Sequence, residues 1–126
     1  MAEMAEVEPN LLELLLEIRA AFDSGDWKRT VSIYEDARNR LRPDRGLRVE
    51  AGCLAARAHI ATGERSAARL ILRSLGGGEY PKAVHYEFLA RAFLDLKQYK
   101  DAAEACRQAE VLRQATERAV RPPERP

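Results

Sequence analysis

Three short stretches, Gly25-Asp26-Trp27, Gly63-Glu64-Arg65 and Lys97-Gln98-Tyr99, fall 38 and 34 residues apart, and each separates two helix-length segments. A periodic break of this kind constrains the fold more than any other feature of the chain. Each unit becomes a pair of helices joined by a tight turn, and such units bury their apolar surface by stacking on one another. The strong helix formers Ala, Leu, Glu and Arg dominate the segments, while Val and Ile never alternate with polar residues over a strand length. The expected fold class is all-α.

Helix breakers predict six helices. The first covers about 10–23, between Pro9 and Ser24-Gly25, and the second runs from Trp27 to Arg42, before Pro43. The third covers 47–62, and the fourth covers 66–75 and ends at Gly76-Gly77-Gly78. The fifth starts at Pro81 and ends near Leu96; the sixth runs from Tyr99 to Val120, before Pro122-Pro123. Paired, they form hairpins at about 10–43, 47–80 and 81–120, a single domain over 10–120. An acidic N-terminal tail, 1–9, and a Pro/Arg-rich C-terminal tail, 121–126, flank it.

The helices after the turns share a register: a small residue, a bulky one four later, and an apolar one three further on. These are Thr30, Tyr34 and Ala37; Ala68, Leu72 and Leu75; and Ala102, Cys106 and Ala109. A small residue lets two helices approach closely, and Cys106 falls in a slot suited to a small hydrophobe. Before the turns a W-x2-L-G-x2-Y pattern is partly kept. The third copy fits best, as Tyr86, Leu89, Ala90 and Phe93; the second has Gly52, Ala55, Ala56 and His59; the first has Leu14, Glu17, Ile18 and Ala21. Proline follows the first two copies, as Pro43 and Pro81. On these residues the chain resembles the tetratricopeptide repeat (TPR) family over about residues 10–116. The resemblance implies a right-handed superhelical stack of three helix-turn-helix hairpins with a concave and a convex side. A generic array of six helices in hairpins has the same architecture.

Composition narrows the function. Twenty-one basic residues against 20 acidic ones leave a net charge of +1, without the basic surplus expected of a nucleic-acid binder. Two cysteines, 53 residues apart, make neither a disulfide scaffold nor a CxxC site. The opening MAEMAEVEPN is acidic where a secretory signal is basic, and no apolar run reaches membrane-spanning length. The expectation is a cytoplasmic protein with no membrane partner, and its Ala- and Arg-rich usage reads as bacterial coding bias. No P-loop, GxGxxG, HExxH or GxSxG is present. His59 and His85 are isolated, with His59 at a position the repeat uses for packing, and Asp23 and Asp26 flank a turn where capping accounts for them. No catalytic, cofactor or metal site is expected.

In the resembled family the first helix of each hairpin lines the concave groove. Arg19, Arg57 and Arg91 share one repeat position, with separations of 38 and 34 that match the turns. Leu12, Leu16, Leu54, Phe88 and Leu94 flank them in the same register. An arginine row with apolar flanks suits a peptide or helix carrying aliphatic and acidic side chains, since guanidinium grips carboxylate in a two-pronged fork. The alternative at this point is that Glu50 and Glu87 neutralise neighbouring arginines. Some domains similar to this one clamp a C-terminal carboxylate with Lys, Asn and Arg. Here Arg19 and Leu54 stand at the Asn positions, Leu15 and Val84 at the Lys positions, and Phe88 at an Arg position, so that specificity is not expected.

The leading expectation is a protein–protein interaction adaptor. A small TPR-type secretion chaperone for an aggregation-prone client is the alternative, and a helical-repeat RNA binder is disfavoured by the charge balance. The leucine-rich first helix and the lack of a further helix after the sixth point to a homodimer or a bound partner.

Overall fold

The structure is a computed structural model. It describes the backbone of residues 2–120 and the side chains of 10–119. Six helices occur in order: α1 (Ala2–Asp23), α2 (Trp27–Leu41), α3 (Arg45–Ala61), α4 (Arg65–Gly76), α5 (Ala83–Asp95) and α6 (Tyr99–Val120). Among the described residues there is no strand, and the fold is all-α.

The three turns, though unequally spaced, are equivalent in geometry. Gly25, Gly63 and Lys97 have φ of 79°, 84° and 64°. After them, the N–H groups of Asp26, Glu64 and Gln98 donate back to the carbonyls of Ala21, His59 and Phe93. The turn residues themselves donate to Phe22, Ile60 and Leu94. This paired pattern satisfies carbonyls that a helix end otherwise leaves open. Glycine takes the left-handed conformation without steric cost; Lys97 takes it at a cost of roughly 1 kcal/mol.

Helix starts differ from the sequence expectation by more than one residue at three places. Asp44, whose carboxylate accepts a hydrogen bond from the Leu47 N–H at 3.1 Å, caps α3 and starts it at Arg45 rather than 47. Helix α5 begins at Ala83, after Pro81 rather than on it. The expected break at Pro9 is also passed over, and the α1 backbone is helical from Ala2. A proline inside a helix withholds one N–H and crowds the carbonyl four residues earlier, but the residues before Pro9 are mostly Ala, Glu and Met, which favour helix. The expected C-terminal tail, 121–126, lies outside the described residues.

Helices pack as hairpin 1 (α1–α2), hairpin 2 (α3–α4) and hairpin 3 (α5–α6). The odd helices form a row in which α3 touches both α1 and α5, and α3 also packs on α2. The even helices do not touch one another among the described residues. One apolar cluster joins Leu11, Leu15 and Ile18 to Tyr34, Ala37 and Leu41 around Ala51 and Ala55 of α3. A second joins Val49 and Cys53 to Leu72, Leu75, Leu89, Leu96 and Ala102.

Thr30, Ala68 and Ala102 are all buried, as the small-residue register requires. Thr30 keeps its hydroxyl satisfied by donating to the Asp26 carbonyl at 2.9 Å. Tyr34 and Leu72 are buried too, but Cys106, expected in the same packing slot, is exposed. The slot is closed by the next hairpin along the stack, and among the described residues no hairpin lies beyond the third.

Candidate functional site

The three arginines of the expected row have different fates. Arg19 forms a two-pronged ion pair with Glu50 of α3, which raises its pKa. Arg57 pairs with Asp95 of α5 at 2.8 Å, and its guanidinium sits 4.8 Å from the centre of the Phe22 ring. Phe22 meets Trp27 edge to face at 5.2 Å, so that Arg57 ties hairpin 1 to hairpin 3 across hairpin 2. Arg91 is exposed and forms no ion pair among the described residues. Two members of the row therefore brace the stack. Reversing one, by Arg57→Glu, is expected to cost about 1–2 kcal/mol, since it sets like charges together and removes the contact over Phe22. Thermal melting checks this; an unchanged midpoint would show that the brace carries nothing.

The apolar residues of the expected groove also divide. Leu54 and Phe88 are half-buried and belong to the edges of the two clusters. Leu12 and Leu16 are 53% and 59% exposed, and Leu94 is exposed too. Leu12 and Leu16 lie one turn apart on α1 and form a short apolar stripe on one face.

Leu12, at one end of that stripe, lines an open cleft of about 900 Å³ at the start of the odd-helix row. Leu11, Leu12 and Leu15 of α1 make one wall, Gly46, Leu47 and Glu50 of α3 the floor, and Pro81, Lys82 and His85 the other wall. Arg19, Arg40, Pro43, Asp44 and Arg45 complete the lining. Its shape depends on Gly46, where an added Cβ would come within 3.0 Å of His85 Nε2. The loop before α5 is pinned by Tyr80, whose N–H donates to the Tyr86 hydroxyl at 3.0 Å and whose own hydroxyl donates to the Leu75 carbonyl. His85 lies edge-on to Tyr80, with ring centres 6.0 Å apart, and its Nδ1 is buried without a partner. Burial, and then the charge of Lys82, lower its pKa. Arg40 and Lys82 are exposed and take part in no ion pair among the described residues. The cleft thus combines aliphatic walls with cations not committed elsewhere. Its residues come from four helices and two loops, which is why no repeat register groups them. Pro43 and Pro81, where the register breaks, are the signals that point there.

A second cleft, of about 450 Å³, opens between α4 and α6 because those helices do not touch. Arg69 and Arg73 line one side and Asp101 and Glu104 the other, over a floor that includes Leu72, Leu89 and Phe93. Neither cleft places a nucleophile beside a base. Cys53 is buried, and burial pushes its thiol well above the ordinary range, which leaves it inert as a nucleophile. Among the described residues, no three His, Cys, Asp or Glu side chains converge as metal ligands, and no helix is long and apolar enough to cross a membrane. Comparison with known proteins gives no match, whether to family models, to curated sequences or to solved structures.

Proposed function

We propose that the chain is a non-catalytic, TPR-type interaction module that holds a peptide or short helix of a partner protein along its odd-helix face. The repeat reading is supported by the three turns with one hydrogen-bond pattern and by the row of odd helices with hairpins packed in sequence. The binding reading rests chiefly on one observation: Leu12 and Leu16 are both more than half exposed, side by side on α1, and Leu12 lines the cleft. Adjacent exposed leucines beside a concave surface mark an interaction site more often than isolated ones do. Arg40 and Lys82 add uncommitted positive charge, so the partner segment carries aliphatic anchors and at least one carboxylate. We place the protein in the cytoplasm, in keeping with two cysteines that are both free thiols.

Affinity purification from the native host with mass spectrometry identifies the partner, and titration calorimetry then tests the site. The variant Leu12→Asp with Leu16→Asp is expected to weaken binding at least tenfold, about 1.4 kcal/mol, with the helical content unchanged. Arg38→Glu on α2, outside the cleft, serves as the control and is expected to bind as the parent does. If the leucine variant binds normally and Arg38→Glu does not, the partner sits on the even-helix side.

A further inference from the structure

Because the hairpins repeat, each position of hairpin 3 has a counterpart 72 residues earlier in hairpin 1. Leu15 of α1 and Leu41 of α2 are buried, and with Ala51 of α3 they line the seam between hairpins 1 and 2. Hairpin 2 keeps the first of these positions apolar, as buried Cys53. Their counterparts in hairpin 3 are Glu87 of α5 and Arg113 of α6, and these two form an ion pair with each other. Arg113 also reaches Glu110 at 3.4 Å. The same side of the hairpin carries apolar groups. Glu87 and Leu94 stand seven residues apart on α5, and Tyr99, Cys106 and Arg113 come at sevenfold spacing on α6. Leu94, Tyr99 and Cys106 are all exposed, whereas Phe22 and Trp27, the counterparts of the first two, stack on each other beneath Arg57.

We infer that the Glu87–Arg113 ion pair closes the stacking face of hairpin 3 against a second copy of the chain. A copy stacked there as hairpin 2 stacks on hairpin 1 would have to bury both charges where hairpin 1 buries two leucines, although hairpin 2 carries an exposed acid, Glu79, at the second of these positions. Taking two ions out of water costs more than their attraction returns unless further hydrogen bonds compensate. Without the pair, Leu94, Tyr99 and Cys106 leave this part of the face apolar between the remaining charges of Arg91 and Glu110. A head-to-tail contact of that kind does not close on itself, and copies would add in an open-ended series. The pair therefore keeps a repeat protein from polymerising through its own repeat geometry, as polar outer faces do at the ends of helical-repeat stacks. This inference does not depend on the proposed binding cleft.

Light scattering coupled to size exclusion, from low to high micromolar concentration, tests it on the full chain. The double variant Glu87→Leu with Arg113→Leu is expected to gain mass steadily with concentration while circular dichroism shows it folded. The exchanged variant Glu87→Arg with Arg113→Glu keeps the charges and is expected to behave as the parent. Two results would overturn the inference. One is a folded leucine variant whose mass does not change with concentration. The other is a parent chain that already self-associates and loses the contact on Tyr99→Asp.

Discussion

Replacing Leu72 by alanine is expected to lower stability by about 2–5 kcal/mol and the melting midpoint by roughly 10 °C. Leu72 has no exposed surface and lies in the cluster that joins α3, α4, α5 and α6. Its truncation removes the transfer energy of the side chain and leaves a void that the stacked helices cannot fill by moving, since α4 is held to α3 at Ala68 and Leu75 as well. The comparison within the molecule is direct. Cys106 occupies the same register slot in hairpin 3 but is exposed, so Cys106→Ala is expected to change stability by less than about 0.5 kcal/mol. Equal effects at the two positions in thermal or urea unfolding would contradict the account of burial by the next hairpin.

The second large effect is expected at Gly52. In the middle of an ordinary exposed helix, replacing glycine gains up to about 1 kcal/mol of helix propensity. At Gly52 an added Cβ would lie 2.7 Å from Leu75 Cδ1, with Ile71 Cγ2 and the Tyr34 hydroxyl each at 3.5 Å. Leu75 is buried and Tyr34 is held in the first cluster, so neither has room to retreat. Gly52→Val forces α3 away from α4 and α2 together, and a net loss of about 1–3 kcal/mol is expected. Denaturant unfolding decides the sign: a more stable variant would show that α3 does not need the close approach.

Much of the fold was legible because its punctuation is chemical. Gly25 and Gly63 announce left-handed turns, and Thr30, Ala68 and Ala102 announce close crossings; each signal sits within a few residues of the structure it produces. Lys97 carried no such signal by itself, and only the 34-residue spacing from Gly63 placed the third turn. Non-local facts were less visible. Whether Cys106 is covered depends on a further hairpin packing over the third, not on the residues around it. The fates of the arginines depend on residues 31 and 38 positions away, Glu50 for Arg19 and Asp95 for Arg57. Glu50 stood out in the sequence as a potential partner, yet only the crossing of α1 over α3 decides whether the two meet. The cleft was hidden most fully. Its walls come from Leu12 at one end and His85 at the other, and neither position has a counterpart with the same role in another hairpin.

The placement of α3 has a consequence for how the molecule folds. Among the described residues it is the one helix that touches four others, α1, α2, α4 and α5, whereas α6 touches only α5. Contacts in such an array run between neighbours, so the chain has no need to bring its distant ends together before order begins. Folding in such an array can begin in any hairpin, and a formed hairpin 2 offers a template to both sides. Hairpin 3 can open and close while hairpins 1 and 2 stay formed, but the opening of hairpin 2 leaves neither neighbour a surface to rest on. Any coupling between the two ends of this protein therefore passes through its central helix pair.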